Sequence, residues 1–174
     1  MPATASVAIA VLTIVAALLI MAGEAVLSSF NERLLRARGA IEPESDVIGA
    51  MRWAYPGAFM LMGIEGALTG PAPPNVLLGG LALFGFAKAL KIWAMSSLGT
   101  RWSYRVLVVP GEPLVTAGPY RFIAHPNYLA VAGEIASVAA IVWAPLAGVL
   151  ATIGFGWLMI ARIRIEDRAL GRIK

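Results

Sequence analysis

The sequence predicts an all-α integral membrane protein with five transmembrane helices, the last two forming a closing helical hairpin. Three observations lead there. First, the 174 residues are 59% hydrophobic and only 14% charged, with a mean hydropathy of +0.79, too apolar for a soluble core. Second, the apolar residues fall in runs at about 5–28, 53–69, 76–96, 127–144 and 146–164, each near the ~20 residues a spanning helix needs. Third, the basic residues gather in alternate connections. The length fits one domain, spanning 1–174.

The first run is long and lacks a basic segment before it, so it reads as a retained span rather than a cleaved signal peptide. Its helix is expected to continue past the membrane to Arg38, where Gly39 can supply a left-handed cap. Glu24, Ser28 and Asn31 share one face of it, a stripe suited to a polar cavity or to an ordinary interfacial helix end. Arg33, Arg36, Arg38 and Arg52 fill the next connection, whereas 70–75 has no basic residue. Lys88 and Lys91 close the inner end of span three, and Arg101, Arg105 and Arg121 lie in the 97–126 loop. In that loop Val106–Val109 and Leu114–Thr116 flank Pro110-Gly111-Glu112-Pro113, which predicts a small hairpin or extended lid. Trp53, Tyr55, Trp93 and Trp102 read as an interfacial aromatic belt.

Little more than Pro145 separates spans four and five, and the tail carries Arg162, Arg164, Arg168, Arg172 and Lys174. By the positive-inside rule the N-terminus is outside and the C-terminus cytoplasmic. Topology and anionic membrane lipid therefore account for the net charge of +4 and leave no case for nucleic acid. With no cysteine there is no disulfide, no thiol nucleophile and no cysteine-held zinc, and no metal is expected.

Chemistry concentrates at residues 118–134. Pro126 marks a helix start, with His125 on its lip and Tyr128 in its first turn. Free N–H groups and the helix dipole at such a start suit a carboxylate-bearing ligand, although a plain helix start beside a membrane has the same signature. If the chain folds back at Pro145, position 162 faces about 128 and 166 faces about 124. His125, Asn127 and Tyr128 then meet Arg162, Arg164, Glu166 and Asp167. Glu134 lies some ~12 Å inside span four at ~1.5 Å per residue, where an unpaired charge is costly. Lys88 is about as deep in span three, so the two are expected to pair. Across the hairpin Glu134 is expected to meet Gly154-Phe155-Gly156, which permits close helix approach or leaves room for a ligand.

Gly118-Pro119-Tyr120-Arg121, His125-Pro126-Asn127-Tyr128 and Arg162-Ile163-Arg164-Ile165-Glu166-Asp167 with Leu170 together resemble the isoprenylcysteine carboxyl methyltransferase family. These are small integral membrane enzymes that use S-adenosylmethionine, and the likeness covers most of 85–171. Ser97-Leu98-Gly99-Thr100-Arg101-Trp102, Asn31-Glu32-Arg33 and Arg38-Gly39-Ala40 look closest to the bacterial branch that O-methylates alkylpyrones and alkylresorcinols. The resemblance implies a cytoplasmic-edge active site in a bacterial cytoplasmic membrane. His125, Pro126, Asn127, Tyr128, Tyr120 and Glu166 would contact the methyl donor. Arg162, Glu166 and Asp167 would be catalytic, and Glu134, Lys88 and Trp102 would be substrate-side or structural polar residues. The chain departs from the family at Asp167, where many relatives have a second glutamate, and at Ala124, where a basic residue often precedes the histidine.

The implied acceptor is lipophilic, a prenylated or other small molecule. A carboxylate needs only a cation such as Arg162, whereas a phenol or enol needs a base from among His125, Glu166 and Asp167. Two other readings compete with this one. A sterol-reductase-like enzyme shares a His-Pro-x-Tyr helix start, but the chain is short and has no extra basic cluster for the 2′-phosphate of NADPH. A small transporter or packing protein using Lys88 and Glu134 predicts matched half-repeats and polarity on both sides, whereas nearly all polarity here is cytoplasmic.

Overall fold

A computed structural model describes residues 3–44 and 46–172; Lys174 of the basic tail lies outside the described residues. Five long helices follow in order: α1 (Ala3–Ala37), α2 (Ile48–Thr69), α3 (Pro74–Leu98), α4 (Pro126–Val142) and α5 (Pro145–Ala169). Pro74, Pro126 and Pro145 each sit in the first turn of a helix, where the N–H that proline lacks has no partner to lose. At the end of α1, Gly39 adopts φ +80°; its N–H reaches Arg36 O and that of Ala40 reaches Leu35 O, both at 3.0 Å. This paired closure is the glycine cap that the sequence led us to expect.

By length and composition α1, α3 and α5 can cross a membrane. At 17 residues α4 is shorter, ~25 Å at ~1.5 Å per residue, and α2 interrupts its apolar run with Arg52 and Glu65. Leu68, Phe86 and Trp157 are more than three-quarters or about three-quarters exposed, at 82%, 77% and 75%, as expected of flanks that face lipid.

The central element is α4, which packs against all four other helices and most extensively on α3. Small residues permit that approach: a Cβ on Gly133 would lie 3.0 Å from that of Ala87, and one on Gly80 would lie 2.9 Å from Ile141 Cγ1. The apolar core includes Ile14, Phe59, Met62, Ile135 and Val138.

Between α4 and α5 the chain reverses through Trp143 in the left-handed region (φ 56°). The end of α2 clamps this turn. Thr69 Oγ1 donates to Trp143 O at 2.6 Å, and Glu65 accepts the Leu146 N–H at 3.0 Å and the Ala147 N–H at 2.5 Å. A carboxylate from another helix thus caps α5, satisfying two orphan donors at the positive end of its dipole.

Two expectations for the connections are corrected. Val106–Val109 does not pair with Leu114–Thr116; instead Val108 and Ile41 exchange backbone hydrogen bonds of 2.8 and 3.0 Å, because the 38–47 loop lies alongside. The aromatic belt keeps Trp53 and Trp93, which are exposed, but Tyr55 and Trp102 turn inward and are 9% and 3% exposed. Tyr55 stacks on Phe155 at 4.9 Å between ring centroids, so helix packing outweighs its interfacial preference.

Replacing Glu65 with Ala removes the α5 cap and is expected to lower stability by about 1–2 kcal/mol. Thermal unfolding of the detergent-solubilised protein measures this, with Glu65→Gln falling between the two.

Candidate active site

α1 and α2 close on one another at Gly63, where a Cβ would come 2.6 Å from Ile14 Cγ1. Toward the basic end, the space between them is a cavity of about 610 Å³. Leu18, Met21, Met51, Val131 and Phe155 contribute an apolar wall, and the facing ends of α4 and α5 contribute a polar one.

The polar wall is built by the fold-back. His125 precedes the first turn of α4, and Tyr128 within that turn points at α5. The Tyr128 hydroxyl accepts from Arg162 Nε at 3.0 Å and donates to Glu166 Oε2 at 2.8 Å. His125 Nε2 lies 2.9 Å from Asp167 Oδ1, and its Nδ1 lies 3.8 Å from Glu166 Oε1. Position 162 therefore does meet 128, as the hairpin register predicts.

Sequence reasoning missed the groups that hold Arg162. Its Nη1 donates to Asp46 Oδ1 at 2.8 Å and its Nη2 to the Tyr104 carbonyl, and the residue is 4% exposed. Asp46 also accepts from the Ile48 and Val106 N–H groups at 3.2 and 3.4 Å. An aspartate two residues before a helix is legible as a capping signal, but its ion pair 116 positions away is not. Arg172 was likewise missed in this role. Its Nη1 lies 3.5 Å from both the Ala124 carbonyl and His125 Nε2 and 3.4 Å from Asp167 Oδ1, which places a cation beside the histidine although residue 124 is alanine.

Burial pushes the phenols of Tyr104 and Tyr120 well above the usual tyrosine range. The charge of Glu24 adds to this at Tyr104, and that of Glu166 adds to it at Tyr120, with Arg172 partly offsetting. Both therefore stay neutral hydroxyls rather than bases. Among the described residues of the polar wall, two guanidinium groups (Arg162, Arg172) face three carboxylates (Asp46, Glu166, Asp167), a balance suited to a cation.

Deeper in the bundle Lys88 and Glu134 pair at 3.0 Å, as expected, within a larger network that the sequence only hinted at. Lys91 lies 2.6 Å from Glu24 and 3.3 Å from Glu134, and Lys88 lies 3.2 Å from Glu24. Tyr55 donates to Glu134, and the Tyr104 hydroxyl lies 3.2 Å from Glu24 Oε2. Glu134 Oε1 has no hydrogen bond of good angle, yet two ammonium groups lie within 3.3 Å and satisfy it by ion pairing. The Glu24, Ser28, Asn31 stripe does face inward: Ser28 Oγ accepts the Tyr104 N–H at 2.7 Å, and Asn31 Nδ2 donates to Trp102 O at 2.8 Å. Trp102 Nε1 in turn reaches Asn127 Oδ1 at 3.4 Å.

Of the residues singled out from sequence, His125, Asn127, Tyr128, Tyr120, Trp102, Arg162 and Glu166 all line the cavity. Pro126 is buried beside it without lining it, Asp167 stands behind His125, and Glu134 and Lys88 lie off the cavity, which Lys91 reaches instead. Arg164 is a correction. Two steps of ~100° along α5 carry it to the far side from Arg162, where it is exposed. Glu134 does not meet Gly154 or Gly156 either: a Cβ on either glycine would touch nothing within 4 Å, because Phe155 is the residue of that trio turned into the core.

A model of the isoprenylcysteine carboxyl methyltransferase family matches residues 80–172. The uncharacterized protein YpbQ of Bacillus subtilis (strain 168) is 33% identical over 149 residues, covering 86% of this chain and 89% of the relative. No solved structure matches. The family match favours neither the reductase nor the transporter reading.

Breaking the buried charge network by Lys91→Met leaves two buried carboxylates, Glu24 and Glu134, to share the single ammonium of Lys88. It is expected to cost about 3–5 kcal/mol, seen as a large drop in melting temperature. Pairing it with Glu24→Leu removes the excess negative charge, leaves Lys88 matched to Glu134, and should restore part of the loss.

Proposed function

The chain belongs to the isoprenylcysteine carboxyl methyltransferase family, and on that premise we propose that it is an S-adenosylmethionine-dependent O-methyltransferase acting on a lipophilic acceptor at the membrane edge. The observation that carries this is the Tyr128 hydroxyl, bound at once to Arg162 and Glu166 beside the His125–Asp167 pair, at the polar end of a cavity whose other wall is apolar. The residues fit the donor: carboxylates in excess over guanidinium groups suit its sulfonium, and the phenols and Glu166 offer partners for its polar atoms. His125, Asn127, Tyr128, Tyr120 and Glu166 would hold it. When bound, it supplies an electrophilic methyl group.

Aligning the partners and excluding water contributes most to such a transfer, and good alignment alone can be worth about 7–11 kcal/mol. Arg162, fixed on three sides, holds Tyr128 in place, and Tyr128 holds Glu166. Asp167 is the nearest partner of His125 Nε2; in the tautomer that donates from Nε2 to Asp167, Nδ1 would be the proton acceptor for a hydroxyl-bearing acceptor. The wall of Leu18, Met21, Met51 and Phe155 takes the acceptor's tail.

In this reading the basic end is cytoplasmic, the chain is a multi-pass protein of a bacterial cytoplasmic membrane, and the acceptor is an isoprenylcysteine-like carboxylate or an alkylpyrone or alkylresorcinol hydroxyl. Support for the alkylpyrone branch comes from Asn31 and Trp102. Both belong to stretches that resemble it, and Asn31 donates to the carbonyl of Trp102, which lines the cavity.

Calorimetric titration of the purified protein with S-adenosylmethionine tests the proposal. His125→Ala and Tyr128→Phe are each expected to weaken donor binding by about tenfold or more, as loss of a charge-assisted hydrogen bond does. Unchanged affinity in both variants would overturn it.

A further inference from the structure

We propose that Asp46 sets the class of acceptor: by occupying the guanidinium of Arg162 it leaves the buried end of the cavity, beside Tyr128 and Glu166, without a free receptor for an anionic head, so the acceptor enters there with an uncharged, hydroxyl-bearing head. This rests on the methyltransferase reading and narrows it.

Among the described residues six basic side chains line the cavity, and five are already matched to carboxylates. Lys91 pairs with Glu24 and Glu134, and Arg162 with Asp46. Arg172 pairs with Asp167, Arg101 with Glu112, and Arg105 with Glu42 and Glu32. The sixth, Arg52, is exposed at the rim. The pairing at Arg162 is closely enclosed, with side chains 5% and 4% exposed, second only to Lys91 with Glu134 at 2% each. Each of its three nitrogens already donates: Nε to Tyr128, Nη1 to Asp46 and Nη2 to the Tyr104 carbonyl.

A carboxylate arriving at Arg162 would have to displace Asp46, leaving that charge buried and unpaired, and would stand beside Glu166 and Asp167 as a like charge. A hydroxyl meets neither obstacle. The distinction matters because Ala22 and Arg52, on α1 and α2, both line the cavity and are exposed, so amphiphiles of either kind reach the opening. Asp46 acts here through Arg162, as a positioning residue.

The test uses the full-length protein in phosphatidylcholine nanodiscs at neutral pH, with dodecanoate and a dodecyl phenol as probes of matched tail, and affinities read by calorimetry. The wild type is expected to bind the phenol at least about tenfold more tightly than dodecanoate. Asp46→Asn is expected to raise dodecanoate affinity about tenfold with phenol affinity nearly unchanged, and adding Arg162→Gln to abolish that gain. A merely structural Asp46 would weaken both probes together. Equal or tighter binding of dodecanoate by the wild type overturns the proposal, as does an unchanged preference in Asp46→Asn. The wild-type comparison decides alone if the variant does not fold. Titration with S-adenosylmethionine in the same nanodiscs separates the two layers: absence of donor binding defeats the methyltransferase reading, whereas donor binding with a preference for dodecanoate defeats only the role of Asp46.

Discussion

A charge inside an apolar bundle has to be matched where it sits, and this requirement shapes more of the molecule than any single contact. Glu24, Lys88, Lys91 and Glu134 come from α1, α3 and α4 and neutralise one another within hydrogen-bond distance, with Tyr55 of α2 as a further partner. Each alone would be expensive to desolvate, and together they fix how four helices meet. Because Lys91 and the two tyrosines Tyr55 and Tyr104 also border the cavity, the network that orders the bundle supplies part of its wall.

The same rule operates at the other cluster. Arg162 is nearly as buried as Lys91, and its charge is met by Asp46 from the loop before α2. That pairing ties the loop to α5 and leaves the Tyr128 hydroxyl between a guanidinium donor and a carboxylate acceptor. The hairpin turn at Trp143 makes this possible. Capped by Glu65, it returns α5 along α4 in the register that sets 162 against 128.

Membership of a methyltransferase family and the geometry support one another without being the same observation. The family match begins at residue 80, so it does not touch α1, the 38–47 loop or α2. Yet Asp46, Glu24 and Tyr55 come from that part of the chain and complete the site and its supporting network. Features that distinguish this chain within its family therefore have room to reside in its first half.

The sequence alone determined the features that depend on neighbours along the chain. Apolar runs gave the helices, prolines gave three of their starts, Gly39 gave the cap, and the short link at Pro145 brought His125 and Tyr128 opposite Glu166 and Arg162. Equal depth was enough to pair Lys88 with Glu134. Tertiary structure alone decided the rest. Asp46 reaches Arg162 across 116 positions, Arg172 returns to His125, Val108 pairs with Ile41, and Tyr55 and Trp102 leave the interface for the interior. Periodicity and capping rules report which face a residue takes on its own element, whereas these contacts depend on how loops and helices distant in sequence close over one another, and no local pattern encodes that.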